Sequence, residues 1–196
     1  MSEAPTRRDA TRNRERLVSA AARVFAARGP DVPLEEIAGA AGVSRTTLHR
    51  HFADRAALAA AVLQENVSRI EARSAALAEV DDGAEQLYHY LLDVQLEAPW
   101  LARMVAGEDT LEVGDLADRT AAALEPLVLR AHALGVLRPS VTTRDVLLTL
   151  PMAMAVQLAD AHSGRQARTA RTRAILHCGL FTTDPPDRGL PSPRGE

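Results

Sequence analysis

Apolar residues recur at helical spacing along nearly the whole chain, between two polar ends. The first such stretch, 11–28, repeats them every three or four positions: Leu17, Ala20, Ala21, Val24 and Phe25. No segment shows the strict apolar–polar alternation of a half-buried strand, and no internal repeat is present. The pattern predicts an all-α protein of about nine helices.

The same periodicity, read with the helix start and stop signals, sets the expected bounds. The predicted helices are 11–28, 34–41, 45–51, 55–77, 83–97, 100–106, 111–134, 143–161 and 165–179. Gly29, Gly42 and Gly135 follow three of them as C-terminal caps, and Ser44 and Asp54 precede two others as N-caps. Residues 1–10 and the Pro/Gly-rich residues 182–196 are expected to be disordered.

The two short helices at 34–41 and 45–51 are joined by the tight turn Gly42-Val43-Ser44, which fits a helix-turn-helix. Ala38 is small where the two helices cross, and Ile37 and Leu48 fill a small core with Val43. The second helix then exposes a polar face, formed by Arg45, Thr46, Thr47, His49 and Arg50. Arg and Thr can bind guanine, thymine methyl groups or phosphate. The alternative is an ordinary helical hairpin with polar surface residues.

The distribution of charge supports a DNA-facing module at the N-terminal end. The chain has a net charge of −3. Residues 1–60 hold ten Arg and seven acidic residues, whereas residues 61–196 hold thirteen Arg and nineteen acidic residues. Every basic side chain is Arg, and low aromatic content (3%) leaves Ala, Leu and Val to build closely packed helices. A basic module on an acidic body is typical of a DNA-binding protein with a second, different task.

Three segments together resemble the tetracycline-repressor (TetR) family. They are the runs Leu17–Gly29, Glu36–Ser44 and Thr47–Leu58, and the similarity extends over about residues 12–63. The resemblance implies that Arg45, Thr46, Thr47, Arg50 and His51 face DNA, that Arg55 binds a phosphate, and that Phe52 is a buried wedge. His49 stands where the family usually has a phosphate-binding Tyr. It either keeps that hydrogen bond or is a partly buried neutral histidine.

The resemblance also implies a division of the chain. Residues 1–10 are a disordered arm, 11–54 the helix-turn-helix domain, 55–181 a helical ligand-binding and dimerisation domain, and 182–196 a disordered tail. The family places an effector pocket in the helical body. Its candidate lining residues are Leu63, Val67, Tyr88, Leu91, Trp100, Met104, Val128, His132, Met152 and Val156. Their apolar character predicts a small hydrophobic or aromatic effector.

The helix predicted at 143–161 carries two apolar stripes, which is independent support for a homodimer. One stripe is Leu147, Leu150, Met154 and Leu158, and the other is Leu148, Met152 and Val156. A helix that is apolar on two faces must be buried on two sides, once by its own subunit and once by a partner. We assign the interface to the first stripe together with Ala167, Ala170 and Ala174. Burial of both stripes within one chain is the alternative. Pro151 is expected to kink this helix.

Other classes of function find little support in the sequence. The one cysteine, Cys178, excludes a disulfide within the chain, and the absence of a signal-like segment predicts a cytoplasmic protein. No metal-ligand spacing, phosphate loop or nucleophile–base pair is evident, so we expect no metal, no cofactor and no enzymatic activity.

The sequence therefore predicts a ligand-responsive regulator, a repressor that binds a pseudo-palindromic operator as a dimer. Double-stranded operator DNA and the hydrophobic effector are its expected partners, without a membrane. The alternative is a helical protein that binds a small molecule or partner and whose helix-turn-helix no longer binds DNA specifically.

Overall fold

The computed structural model describes residues 7–29, 31–97, 111–158 and 165–185, and these ranges are almost entirely helical. They contain eight helices: α1 (Arg7–Arg28), α2 (Leu34–Ala41), α3 (Arg45–His51), α4 (Arg55–Leu77), α5 (Gly83–Glu97), α6 (Leu111–Ala133), α7 (Thr143–Leu158) and α8 (Arg165–Leu180). These ranges form no strand, and their β-type pairing is an isolated antiparallel bridge between Leu137 and Phe181. The predicted all-α fold is confirmed. The helix expected at 100–106 lies outside the described residues.

Helix ends agree closely with the stop and start signals. Gly29 donates its N–H to the Phe25 carbonyl at 2.8 Å and ends α1. Gly42 ends α2 with φ of 63°, a left-handed conformation that an L side chain rarely adopts. Asp54 Oδ1 accepts the Ala57 N–H at 2.8 Å at the start of α4. These local interactions explain why the bounds could be placed from the sequence.

Two segments that were expected to be disordered contain ordered residues. Helix α1 begins at Arg7, four residues before the predicted start, because Arg and Ala favour helix even where no apolar stripe is present. At the other end, the Thr182 N–H donates to the Val136 carbonyl at 2.9 Å. This bond continues the pairing that begins at the Leu137–Phe181 bridge, so the ordered chain extends past residue 181.

The chain divides into two compact units, with the boundary inside α4 after Ser68. Among the described residues, the first unit contains 7–68 and 111–116, and the second contains 69–97 and 117–185. The predicted domain boundary, before Arg55, falls at the start of the same helix. In the first unit, α1, α2 and α3 pack through a core of Leu17, Ala20, Ala21, Phe25, Ile37, Ala38, Leu48 and Phe52.

The second unit has a larger core that also contains polar groups. Its apolar part includes Leu87, Leu91, Leu92, Leu124, Leu127, Val128, Leu137 and Phe181. Tyr88 is fully buried among them, and its hydroxyl lies 3.1 Å from Thr149 Oγ1. Because Thr149 donates its own hydrogen to the Val146 carbonyl at 2.7 Å, Tyr88 is the donor to Thr149. Burial raises the pKa of Tyr88 to about 12, against the smaller opposing effects of this hydrogen bond and of Arg173.

The two apolar stripes of α7 have different environments, and the stripe that was assigned to the dimer interface is the one packed within its own chain. Met154, assigned to the interface, is buried within its own chain, and Leu147 and Leu150 are partly buried against the core. Leu148, Met152 and Val156 are exposed instead, at 59%, 52% and 39%. The reason is that α7 packs its Ala153 and Met154 side towards α5, where the Gln95 amide contacts the Met154 sulfur at 2.8 Å.

None of the helices in the described ranges is long and apolar enough to span a membrane.

Candidate nucleic-acid interface

The turn between α2 and α3 is held by backbone hydrogen bonds and by one side chain from α1. The Val43 N–H donates to the Ala38 carbonyl at 3.0 Å, and the Gly42 N–H donates to Gly39 at the same distance. The Arg16 guanidinium donates to the Gly42 carbonyl at 3.3 Å. A Cβ added at Gly42 would lie 2.6 Å from that guanidinium. The glycine therefore satisfies both the backbone conformation and the close approach of Arg16.

The first turn of α3 is capped by Ser44, as the sequence predicts. Ser44 Oγ accepts the Thr47 N–H at 3.1 Å and lies 2.9 Å from Thr47 Oγ1. This cap satisfies one of the free donors at the helix N-terminus and also restrains the Thr47 side chain. Thr47 is consequently half-buried beside its cap, whereas Thr46 is exposed.

Helix α3 separates its buried and exposed side chains sharply. Leu48 and, directly after the helix, Phe52 are buried, so both serve the core and not the surface. The predicted DNA-facing residues have different exposures: Arg45, Thr46, His49 and Arg50 are exposed, and Thr47, His51 and Arg55 are half-buried. His49 therefore lies on the surface, not partly buried. A helix of this kind presents a polar face supported by two apolar anchors, which is the arrangement that groove recognition requires.

One cation of this polar face has an acidic partner on the neighbouring helix α2. Arg45 lies 3.1 Å from Glu35 Oε1 on the first turn of α2, and both side chains are more than half exposed. The neighbouring Glu36 pairs instead with Arg28 of α1. Nothing in the local sequence indicates the Glu35–Arg45 pair, because its members lie ten positions apart on two helices. The pair places a negative charge beside Arg45, the first cation of α3.

A second basic side chain is positioned from α1. The Arg14 guanidinium carbon lies 5.4 Å from the centre of the Phe52 ring, a cation–π distance. Arg14 is otherwise exposed. The pair joins the first half of α1 to the residue that follows α3. The Phe52 ring therefore packs in the core and also contacts a cation.

The predicted effector residues that lie in the described ranges have different surroundings. Leu63 and Val67 belong to the residues of the first unit, and Val67 is buried. Tyr88 and Leu91 are packed inside the core of the second unit, while Met152 and Val156 are exposed on α7. Trp100 and Met104 lie outside the described residues. Beside Val128 the core leaves a cavity of about 10 Å³, too small for an effector.

Val128 and His132 do meet at a larger open groove between α6 and the segment that leads into α7. Its volume is about 930 Å³. The lining residues are Ala117, Asp118, Ala121, Ala122, Glu125, Val128, Leu129, His132, Pro139, Val141, Thr142, Thr143, Arg144 and Leu147. His132 Nε2 donates to the Val141 carbonyl at 2.8 Å, which holds the half-buried ring at the groove wall. The lining combines apolar side chains with polar and charged ones, as small-molecule sites do.

The small residues predicted to lie at an interface occupy different depths on α8. Ala167 is exposed, Ala170 is half-buried, and Ala174 is buried within the chain. The side chain of Leu158 lies outside the described part. Among the described side chains of α8, the large apolar one that is exposed is Ile175, at 58%.

Comparisons with known proteins place this geometry in context. The sequence profile of the bacterial regulatory proteins of the tetR family matches residues 17–62, which include α2, α3 and most of α1. Among curated protein sequences, none matches the chain.

Several solved structures resemble most of the chain. A TetR transcription regulatory protein from Mycobacterium vanbaalenii is 25% identical, with 90% of this chain and 99% of that chain covered and a TM-score of 0.67. A TetR transcriptional regulator from Streptomyces coelicolor is 26% identical, with 88% and 99% covered and a TM-score of 0.68. A transcriptional regulator from Saccharomonospora viridis, solved with choline, shares the fold at 20% identity, 88% and 100% coverage and a TM-score of 0.61.

Proposed function

This chain belongs to the TetR family and is a DNA-binding transcriptional regulator, and on that premise we propose that it is a ligand-responsive repressor. As a homodimer it binds a pseudo-palindromic operator, and a small hydrophobic effector releases it. The observation that carries the proposal is the exposed polar face of α3 over the buried Leu48 and Phe52. We infer that the protein acts in the cytoplasm and without enzymatic activity.

DNA recognition rests on the side chains of α3 and its flanks. Arg45 and Arg50 are exposed cations that can bind guanine or phosphate, and Thr46 offers a hydroxyl and a methyl group beside them. His49 is exposed at the position where the family usually has a phosphate-binding Tyr, and we propose that it donates to a phosphate. Arg55, at the first position of α4, supplies a phosphate contact outside the groove.

Dimerisation is assigned to the exposed apolar stripe of α7 together with Ile175 of α8. Leu148, Met152 and Val156 are four positions apart and share one face of α7. A row of exposed apolar side chains on one helix face favours an interface. A symmetric pairing of α7 and α8 would cover them and would give the two recognition helices the two-fold relation that a palindromic operator requires.

The effector response is assigned to the groove that Val128 and His132 share. The Saccharomonospora viridis protein was solved with choline, so this fold can hold a small molecule. The groove here is lined mostly by apolar residues, which favours a hydrophobic effector. We propose that an effector shifts α4 and thereby the spacing of the recognition helices. Release then follows from a higher affinity of the effector for the spacing that does not fit DNA.

DNA binding is tested with the intergenic DNA upstream of the gene, by fluorescence anisotropy at fixed salt. Arg45→Ala with Thr47→Ala should weaken binding about tenfold or more, because each base or phosphate contact contributes about 1–3 kcal/mol. Arg144→Ala on α7 removes the same charge away from α3 and should bind like the wild type. Unchanged affinity of the double variant would favour the alternative, a helical binding protein whose helix-turn-helix no longer reads DNA.

The interface is tested by sedimentation. Met152→Lys places a charge on the exposed stripe and should shift the protein towards monomers. Leu134→Lys alters another exposed apolar side chain, outside α7, and should leave the dimer intact. A dimer that survives Met152→Lys at the same concentration would contradict this assignment.

A further inference from the structure

Three potential metal ligands that are far apart in sequence meet in the second unit. Glu85 and His89 lie four positions apart on one face of α5, and His177 approaches them from α8. One potential ligand atom from each residue lies within 4.8 Å of the other two. Both histidines are nearly fully buried, at 5% and 0% exposure, and Glu85 is half-buried. No motif indicates the site, because His177 follows His89 by 88 positions.

The hydrogen bonds around the cluster determine which ring nitrogens carry a proton. His177 Nε2 lies 3.0 Å from the Thr183 carbonyl oxygen, which only accepts, so this nitrogen carries a hydrogen. In the neutral tautomer with its hydrogen on Nε2, which is the form that can bind a metal, His177 Nδ1 presents a lone pair. It faces His89 Nε2 at 3.1 Å, and His89 is consequently the donor in that bond. The lone pair of a buried imidazole is thus already aimed at a second ligand, His89.

We propose that Glu85, His89 and His177 bind a divalent transition-metal ion of the Zn²⁺ type. Two imidazole nitrogens and one carboxylate oxygen suit Zn²⁺, Co²⁺ or Ni²⁺, whereas Mg²⁺ and Ca²⁺ prefer sites made of oxygen. Two nitrogens bound to one tetrahedral Zn²⁺ lie roughly 3.4 Å apart. The observed 3.1 Å is close to that separation. Binding requires His89 to move its proton from Nε2 to Nδ1, so no proton has to leave the neutral pair.

Thr183 supplies the outer contacts that metal ligands need. Its carbonyl accepts from His177 Nε2, and its hydroxyl donates to Glu85 Oε2 at 2.9 Å. Metal-bound histidines usually donate their second ring N–H to a carbonyl or carboxylate, and metal-bound carboxylates are themselves hydrogen-bonded. One residue therefore orients two of the three ligands. The Phe181 ring is stacked on His177, with centroids 5.0 Å apart, and this contact restrains the plane of the imidazole.

The local charge balance also accommodates a cation. Glu85 contributes a negative charge, and both histidines bind as neutral ligands. One turn further along the same two helices, Asp93 and Arg173 form an ion pair and neutralise each other. The thiol of Cys178 follows His177 directly but is exposed, whereas His177 is buried, so the thiol is not part of the cluster.

The proposal is tested on the full chain, freed of metal with a chelator and titrated with Co²⁺ or Zn²⁺, with Mg²⁺ as the comparison ion. We expect one Co²⁺ per chain with the visible absorption of nitrogen and oxygen ligands, and a higher Tm with Zn²⁺ but not with Mg²⁺. Glu85→Gln should lower the affinity about tenfold or more, and His89→Gln and His177→Gln should remove binding. His132→Gln and Cys178→Ser should bind like the wild type.

Glu85→Gln keeps the shape and polarity of a half-buried side chain, so it provides a folded variant even if a histidine variant does not fold. Absence of Co²⁺ binding by the wild type would overturn the proposal, as would unchanged affinity in Glu85→Gln or loss of binding in Cys178→Ser. None of these outcomes depends on whether the protein binds an operator.

Discussion

The two units of the molecule handle polar side chains in opposite ways. In the described part of the first unit, every buried residue is apolar, and the polar groups of α3 are left on the surface. Among its described residues, the second unit buries six polar ones: Ser74, His89, Thr143, Thr149, Thr172 and His177. Burial of a polar group costs free energy unless it finds a hydrogen-bond partner, so the second unit depends on specific pairs where the first depends on packing.

This contrast separates two kinds of binding surface. A recognition helix over an apolar core leaves most of its polar side chains at the surface, where a partner outside the molecule can reach them. The interior of the second unit instead uses donors and acceptors to hold α5, α7 and α8 together, through Tyr88–Thr149 and His89–His177. The following variants test the contrast, from the largest expected effect to the smallest.

Phe52→Ala tests whether the first unit is stabilised by apolar packing. The change removes a buried ring and the support of Arg14, and it should lower the free energy of unfolding by about 3–5 kcal/mol. Phe52→Leu keeps most of the volume and should cost less than about 1.5 kcal/mol. The measurement is denaturant unfolding followed by circular dichroism. Equal losses in the two variants would show that the ring is not a packing anchor.

Arg173→Met tests whether the second unit depends on its polar pairs. Its partner Asp93 is less than one third exposed, so removal of the cation should lower the free energy of unfolding by about 2 kcal/mol. Replacing both residues, with Asp93→Leu added, should recover at least half of that loss, because the carboxylate that faced the removed cation is then gone as well. A double-mutant cycle measures the coupling, and additive losses would contradict it.

Tyr88→Phe removes one buried hydrogen bond and leaves the Thr149–Val146 bond in place. It should lower the free energy of unfolding by about 1 kcal/mol at neutral pH. The pKa of Tyr88 is raised to about 12 in the folded protein, so the stability of the wild type is full below pH 10 and falls as the pH rises towards 12. The variant lacks that fall, and the difference between the two proteins should therefore shrink above pH 10. A constant difference would contradict this interpretation.

Glu35→Gln tests whether the polar face of α3 is partly neutralised. Loss of the Glu35–Arg45 pair should tighten DNA binding up to about fivefold, because exposed ion pairs contribute only about 0.2–1 kcal/mol. Glu36→Gln removes an equal charge that pairs with Arg28 and is the matched control. Equal effects in the two variants would indicate general electrostatics and not the specific pair.

The first unit was predictable because its determinants are local. Gly42, Ser44 and Asp54 act on backbone groups within four positions, so the bounds of α2, α3 and α4 follow from the sequence. The Glu35–Arg45 pair was missed for the opposite reason, because it depends on the crossing of two helices.

The second unit was predictable in its helices but not in its chemistry. Both stripes of α7 are equally apolar, so periodicity found them without showing which one faces α5. The contact that decides it, Gln95 with Met154, joins residues 59 positions apart. His89 and His177 each look like an isolated histidine until the fold places His89 Nε2 and His177 Nδ1 3.1 Å apart.

The exposed thiol of Cys178 makes the wild-type chain suitable for spectroscopy without mutation. It is the only cysteine in the sequence, so a maleimide dye or nitroxide attaches at one position per protomer. In a symmetric dimer, two nitroxides would give a single distance across the assembly by pulsed electron resonance. A dye at the same position neighbours His177, and quenching by Co²⁺ would report occupancy of the cluster. One natural side chain can thus measure both assembly and metal uptake.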